Sequence, residues 1–248
     1  MMAMANENKK GLNTNSNVYT IVYSAVMVVI VAFLLAFVYQ TLKDRQDANV
    51  ALDKKKQILY ALNIRGLGDE EAAQKYNEVV EADNILAASG EMQQNDAKDK
   101  ESNGFRLGSA DYKEGKLAIF VCNVDGARKY VIPVYGMGLW GPISGYVALN
   151  EDCKTVYGVY FNHDSETAGL GAEIKDSQEW QERFQGKKLF DENGEPIALS
   201  VEKQVTNPAS EVDAVTGATL TSNGVRDMLK ECLGKYVDFF KANSKEDK

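Results

Sequence analysis

No position between residues 11 and 42 carries a charge, and residues 18–39 are almost wholly apolar, with Tyr19, Tyr23 and Tyr39 near the ends of the run. At the helical rise per residue this run is roughly 33 Å long, the thickness of a bilayer's hydrocarbon core, and it predicts one membrane-spanning helix. A cleaved signal peptide has an apolar stretch of only about 7–15 residues followed by a small-x-small site, and no such site is evident after Tyr39. The expectation is therefore an uncleaved anchor. Residues 44–62 contain neither Pro nor Gly and predict a continuation of the helix, closed by Gly66 and Gly68. Asp69, Glu70 and Glu71 place acids in the first turn of a second helix, with Ala72, Ala73, Tyr76, Val79 and Val80 on one side. Residues 89–103 are polar and read as a solvated loop, open to cover by a partner protein.

Beyond that loop the pattern changes to strand-like runs at 117–123, 129–134, 145–149 and 155–162. Asp125-Gly126 between the first two is a hairpin signal, so the runs predict an antiparallel sheet. Residues 178–184 predict a short helix and 197–205 a further strand. From Val225 the apolar positions Met228, Leu229, Cys232, Leu233, Tyr236, Val237 and Phe240 keep the i, i+3, i+4, i+7 spacing of an amphipathic helix that packs on the sheet. Strands grouped together with helices at the ends indicate an α+β fold rather than a doubly wound parallel sheet.

Composition narrows the chemistry. A net charge of −8 without basic stripes argues against a nucleic-acid partner. Cys122, Cys153 and Cys232 lie far apart with no Cys-x-x-Cys, so neither a zinc site nor an iron–sulfur cluster is encoded locally. Cys232 falls on the apolar helix face and is expected in the core; whether Cys122 and Cys153 pair stays open. There is no Gly-x-Ser-x-Gly elbow and no Walker loop, and His163 is the only histidine, which argues against hydrolysis. A lone His with scattered acids reads as a surface or hydrogen-bonded residue, and no metal site is expected. Gly136-Met-Gly-Leu-Trp-Gly141 matches Gly-x-Gly-x-x-Gly formally, but Pro142 and a strand-like run follow where a dinucleotide fingerprint needs a helix N-terminus.

The most informative stretch is Asp213-Ala-Val-Thr-Gly-Ala-Thr-Leu-Thr-Ser222, a hydroxyl-rich turn running into the last predicted helix. Thr221, Ser222 and Asn223 are residue types that cap helix starts, and Gly217 and Ala218 let backbone amides come close to a ligand. A helix N-terminus presents unpaired N–H groups and partial positive charge, so an anion beside Thr219 is favoured. Read alone, Thr216-Gly-Ala-Thr219 is first of all a turn, with Thr221 or Ser222 as a hydroxyl cap. The whole string resembles the covalent flavin-attachment motif of the FMN-binding subunits of bacterial respiratory complexes. That resemblance implies a phosphodiester between FMN and Thr219, with Thr216 standing where many members have Ser, Asp213 as the leading acid, and Gly217, Ala218, Leu220 and Thr221 completing the motif.

Two further blocks carry the same resemblance. Tyr135-Gly-Met-Gly-Leu-Trp-Gly-Pro-Ile-Ser-Gly145 resembles the family's glycine-rich loop, where Trp140 would border the flavin; a core Trp is the alternative. In His163-Asp-Ser-Glu-Thr-Ala-Gly-Leu-Gly-Ala-Glu173, the residues Glu166, Thr167, Gly169, Leu170 and Gly171 match a loop that holds the flavin ring through backbone amides and the Thr hydroxyl. Ala168 replaces that loop's Pro. Lys203, in the strand predicted before the attachment motif, either faces the flavin or is solvated.

The resemblance implies an N-terminal transmembrane helix followed by an extracytoplasmic FMN-binding domain: tail 1–17, span 18–39, helical segment and polar loop 40–103, flavin domain 104–248. The family includes the C subunit of the sodium-translocating NADH:quinone oxidoreductase and the G subunit of the Rnf complex, and the second and third blocks lean towards the former. The implied function is electron relay through covalent FMN in NADH:quinone oxidoreduction coupled to sodium transport. Implied partners are the other membrane subunits and a flavin transferase, and the implied location is the bacterial inner membrane with the flavin on the periplasmic side. Lys9 and Lys10 before the span against Lys43, Arg45, Lys54, Lys55 and Lys56 after it favour the opposite orientation by charge count. An anchored extracytoplasmic binding or assembly module, or a flavin-linked sensor, are the alternative readings.

Overall fold

The computed structural model describes residues 14–86, 92–93, 100–191 and 197–244. The chain divides into two compact units between Ala51 and Leu52. The first is the apolar part of α1 (Asn17–Ala61), an uninterrupted helix of 45 residues. Its apolar window has no buried residue and is long and apolar enough to cross a membrane. A helix that is apolar all round, with Val18, Val29, Phe33 and Phe37 all exposed, suits lipid and not water.

The second unit is an α+β domain. After α2 (Asp69–Val79) come β1 (Val80–Leu86), β2 (Met92–Gln93) and α3 (Ser109–Lys113). The strands β3 (Leu117–Val124), β4 (Ala127–Met137), β5 (Pro142–Asn150) and β6 (Val156–His163) complete a six-stranded sheet in the order β2-β1-β3-β4-β5-β6, antiparallel throughout. Asp125 and Gly126 both take positive φ at the β3–β4 turn, as a two-residue hairpin of primed type requires. α4 (Glu173–Asp176) and α5 (Gln178–Glu182) follow the sheet, and β7 (Ser200–Glu202) pairs in parallel with β8 (Glu211–Asp213). α6 (Thr219–Gly234) and α7 (Val237–Asn243) end the described chain.

Register decides where the loops emerge. Met137 pairs with Pro142 across β4 and β5, and Ile143 pairs with His163 across β5 and β6. The glycine-rich connector 138–141 and the loop after His163 therefore leave the sheet at the same end. α6 lies on β4 and buries Val225, Met228, Leu229 and Leu233 with Ile132, Val134 and Phe161 in the core, while Tyr236 donates to the Ala118 carbonyl at 2.8 Å. The edge strand β6 is sealed by the turn after α1: Asn63 donates to the Tyr157 carbonyl at 2.9 Å and Arg65 to that of Val159 at 3.3 Å.

Several expectations change. Periodicity predicts one helix through Phe240, but the chain tightens at Lys235 and Tyr236, whose amides bond three residues back, and a second helix follows with Phe239 also buried. The strand expected at 197–205 shrinks to Ser200–Glu202. β1 escapes the apolar pattern because Asp83 and Asn84, both buried, interrupt it. All three cysteines are free; Cys122 and Cys153 are buried, and burial pushes the Cys153 thiol up to about 12. Cys232 is half-buried rather than in the core, its thiol donating to the Tyr135 carbonyl at 3.2 Å.

Candidate functional site

Thr219 is the first residue of α6 and is exposed. The preceding Gly217 takes φ +78°, a conformation that glycine adopts without strain, and this turns the chain into the helix. The helix start has no side-chain cap, and its first backbone bond runs from the Ser222 N–H to the Ala218 carbonyl. The hydroxyls expected to cap it are spent elsewhere: that of Thr221 donates to Glu166 Oε2 at 2.6 Å, and Ser222 Oγ accepts from the Val215 N–H at 3.0 Å. The amides of Thr219, Leu220 and Thr221, which precede the helix's own bonding, are left for an anion. This answers the sequence expectation differently: the hydroxyls shape the turn, and the helix end stays open.

The loop after β6 comes to the same place. Thr167 accepts through its carbonyl from the amides of Leu170 and Ala172, at 3.1 and 3.0 Å, closing a tight turn with Gly169 at positive φ. Thr167, Gly169 and Leu170 are exposed on it. Glu166 is only 8% exposed, and its Oε1 accepts from the Trp140 N–H at 2.8 Å. The connector carrying Trp140, the loop carrying Thr167 and the start of α6 are thus joined at one carboxylate. His163 is part of the same join: its Nδ1 accepts from the Glu166 N–H at 3.2 Å. No group of three or more metal-ligating side chains occurs among the described residues.

The surface so formed is apolar. Trp140 is 66% exposed, so the core alternative for it does not hold, and Leu220 is 59% exposed. Together with Met137, Leu139 and Leu170 these are all the large exposed hydrophobic side chains of the second unit among the described residues, and all five lie in the three blocks. Large exposed apolar clusters mark binding surfaces more often than accidents of packing. The fold concentrates them where the sheet end meets α6.

Beside the turn before α6 a cavity of about 270 Å³ is lined by Gly169, Glu173, Trp180, Arg183, Ala214 and Thr216 among others. Thr216 is exposed and lines this recess. The Asp213 carbonyl accepts from the Trp180 indole N–H at 2.7 Å, fixing the strand end, and its exposed carboxylate lies 4.0 Å from Arg183. Lys203 is exposed and stands just past β7, not within it.

Residues 138–234 match the FMN-binding domain family, a span that begins at the glycine-rich connector and ends with α6. The C subunit of the Na(+)-translocating NADH-quinone reductase of Vibrio vulnificus is 34% identical over 212 residues, covering 78% of this chain and 81% of its own length. The corresponding protein of Haemophilus ducreyi is 31% identical over 254 residues, covering 94% and 97%. The crystal structure of the C subunit from Parabacteroides distasonis matches with a TM-score of 0.72 at 36% identity, over 80% of this chain and 96% of that one. A relative above 30% identity along nearly its whole length, with the flavin domain's three loops inside the matched span, places this chain in the family of the C subunits of Na(+)-translocating NADH-quinone reductases.

Proposed function

We propose that the chain carries FMN joined by a phosphodiester to Oγ1 of Thr219 and serves as an electron-relaying subunit of a membrane complex that oxidises NADH, reduces quinone and moves sodium. One observation carries the reading: an exposed threonine hydroxyl heads an uncapped 16-residue helix in the middle of the domain's exposed apolar side chains. An attached phosphate would be held by the open amides of the first turn, where the helix dipole favours negative charge. Trp140, Leu170 and Leu220 would border the ring, and Thr167 with the amides of Gly169 and Gly171 would meet its polar edge. Gly217 and Ala218 leave room at the linkage, Asp213 and Thr216 shape the turn from behind, and Lys203 is the nearest candidate cation in the sequence block before it. Bound FMN supplies one-electron transfer, and the protein's part is position and surroundings. Trp140, Leu170 and Leu220 would keep water from the ring face they cover.

The anchor α1 keeps the domain at the membrane beside the complex's other subunits, with the flavin on the periplasmic side of the inner membrane. A separate flavin transferase loads Thr219. The test is co-expression of the full chain with such a transferase, a denaturing gel viewed under ultraviolet light, and peptide mapping by mass spectrometry. The expected result is a fluorescent band with the added mass on Thr219, and a dark band for Thr219→Val with its fold intact. Covalent flavin retained in Thr219→Val would overturn the reading.

A further inference from the structure

We infer that Glu166 is the positioning residue of this site: its carboxylate clips two loops and the first turn of α6 into one surface and fixes Trp140 relative to Thr219, instead of meeting the cofactor itself. The inference rests on the flavin reading for what the surface is for, but the clip is a property of the protein alone.

Both oxygens of the side chain are committed, one to the glycine-rich connector and one to the first turn of α6. Oε1 takes the backbone N–H of Trp140 at 2.8 Å, and Oε2 takes the hydroxyl of Thr221 at 2.6 Å. Thr221 is 1% exposed, so its hydroxyl has no water to fall back on. Hydrogen bonds to an ionised group are shorter and stronger than neutral ones, and both partners would be left unpaired if the carboxylate were removed. The remaining segment is the loop that carries Glu166, whose own N–H is tied to His163 Nδ1 at the end of β6.

Two glycines leave room for this side chain. A Cβ on Gly138 would collide with Oε1, and a Cβ on Gly171 would collide with Oε2 and with the Thr221 hydroxyl. The glycines of the two loop blocks thus make space for a buried carboxylate as well as for a ligand. The exposed groups at the site, Trp140, Leu170, Leu220 and Thr219, all belong to the two loops and the helix start that this one side chain ties together. Packing of Leu170 against Gly217 and of Ser165 against Gly141 also brings the segments together, but Glu166 is the side chain that hydrogen-bonds to both of the others.

Substitutions separate clip from charge. Glutamine at 166 keeps both bonds, because its oxygen accepts from the Trp140 N–H and its amide donates to Thr221 Oγ1, a hydroxyl that also accepts. Alanine keeps neither. We would prepare the full-length chain in detergent as wild type, Glu166→Gln, Glu166→Ala and Thr221→Val. Each is made without transferase for amide exchange and with transferase for attached flavin per chain and its absorption spectrum. Glu166→Ala should speed exchange of the Trp140 amide by on the order of tenfold or more, as loss of a charge-assisted bond predicts, and lower attached flavin by a similar factor. Glu166→Gln should resemble wild type in both. Thr221→Val, which removes one arm only, should fall between them and keeps the test alive should Glu166→Ala fail to fold. Equal loss of flavin in Glu166→Gln and Glu166→Ala, with the Trp140 amide still protected in Gln, would assign the carboxylate to direct contact with the cofactor and overturn the inference. So would unchanged Trp140 protection in both Glu166→Ala and Thr221→Val. A dark wild type in the presence of active transferase would refute the flavin reading instead, leaving the exchange measurement to judge the clip.

Discussion

The Cδ2 methyl of Leu170 closes over the α-carbon of Gly217, 2.9 Å from where a Cβ at that position would stand. Gly217 also holds φ +78°, so a side chain there meets both backbone strain and a neighbour. Gly217→Ala is expected to destabilise the domain by about 1–3 kcal/mol, the usual cost of a non-glycine residue in a strained conformation. Because the displaced Leu170 and the displaced turn both flank Thr219, attached flavin should fall as well. Urea unfolding and flavin per chain, measured on the same preparation, check the two halves of this statement. Wild-type stability in the variant would show that the turn relaxes freely.

Ser222 holds the other side of the same turn. Its fully buried hydroxyl accepts the Val215 N–H at 3.0 Å, and Ser222→Ala leaves that buried donor without a partner. The expected loss is about 1–3 kcal/mol of stability, the cost of an unsatisfied buried group. Thr219 keeps its hydroxyl in this variant, so flavin should still attach, in contrast to Thr219→Val. Thermal unfolding with in-gel fluorescence distinguishes the two.

Lys54 gives a pH dependence. Its ammonium donates to the carbonyls of Phe105 and Leu107, the latter at 2.9 Å, and lies 5.0 Å from the centre of the Phe105 ring. Burial lowers its pKa from 10.5 to about 8, against the opposing pull of Asp83 and Asp111. With the folded value below the unfolded one, the folded state binds fewer protons between the two, so stability rises with pH across that interval and is lost as pH falls through about 8. Lys54→Met removes this slope. Urea midpoints of wild type should therefore rise relative to those of Lys54→Met between roughly pH 7.5 and pH 9.5, the buried thiols that respond in the same window cancelling in the difference. A constant difference would mean that Lys54 stays charged throughout.

Periodicity made the sheet and the apolar anchor readable, because in both the side chains that face the same surroundings recur at a fixed spacing. The same rule concealed β1, where Asp83 sits buried and accepts from the amides of Asn103 and Phe105 at 2.8 and 3.2 Å, a polar solution that no apolar pattern announces. Residue type misled at Thr221 and Ser222. It suggested caps, whereas tertiary partners 55 and 7 residues away claimed both hydroxyls. The position of Thr219 at a helix start was readable; the openness of that start was not, since it depends on where the neighbouring hydroxyls point. Glu166 appeared only as one letter of a matching block, and its link to Trp140 and Thr221 required the register that brings the two loops to one end of the sheet.

Arg65 tests how firmly the loop carrying Glu166 is braced. Its guanidinium lies 5.5 Å from the ring centre of Tyr60 and 6.0 Å from that of Tyr160, and donates to the Val159 carbonyl and, at 2.7 Å, to Gln181 Oε1. Gln181 is 1% exposed and passes the contact on, donating to the carbonyls of Ile174 and Lys175 at 2.9 and 3.1 Å, just past the Gly169–Gly171 turn. Arg65→Met leaves the Gln181 oxygen buried without its donor and should cost about 1–3 kcal/mol. Arg65→Lys should recover only part of this, because a single ammonium cannot reproduce a planar fork that stacks on two rings while donating to two oxygens. The amide of Ala172, bonded to the Thr167 carbonyl at 3.0 Å, lies beside the segment that Gln181 holds and should exchange faster in Arg65→Met while the amides of β3 stay protected. Uniform acceleration across the domain would instead make Arg65 an ordinary contributor to global stability, with no particular hold on the loop that carries Glu166.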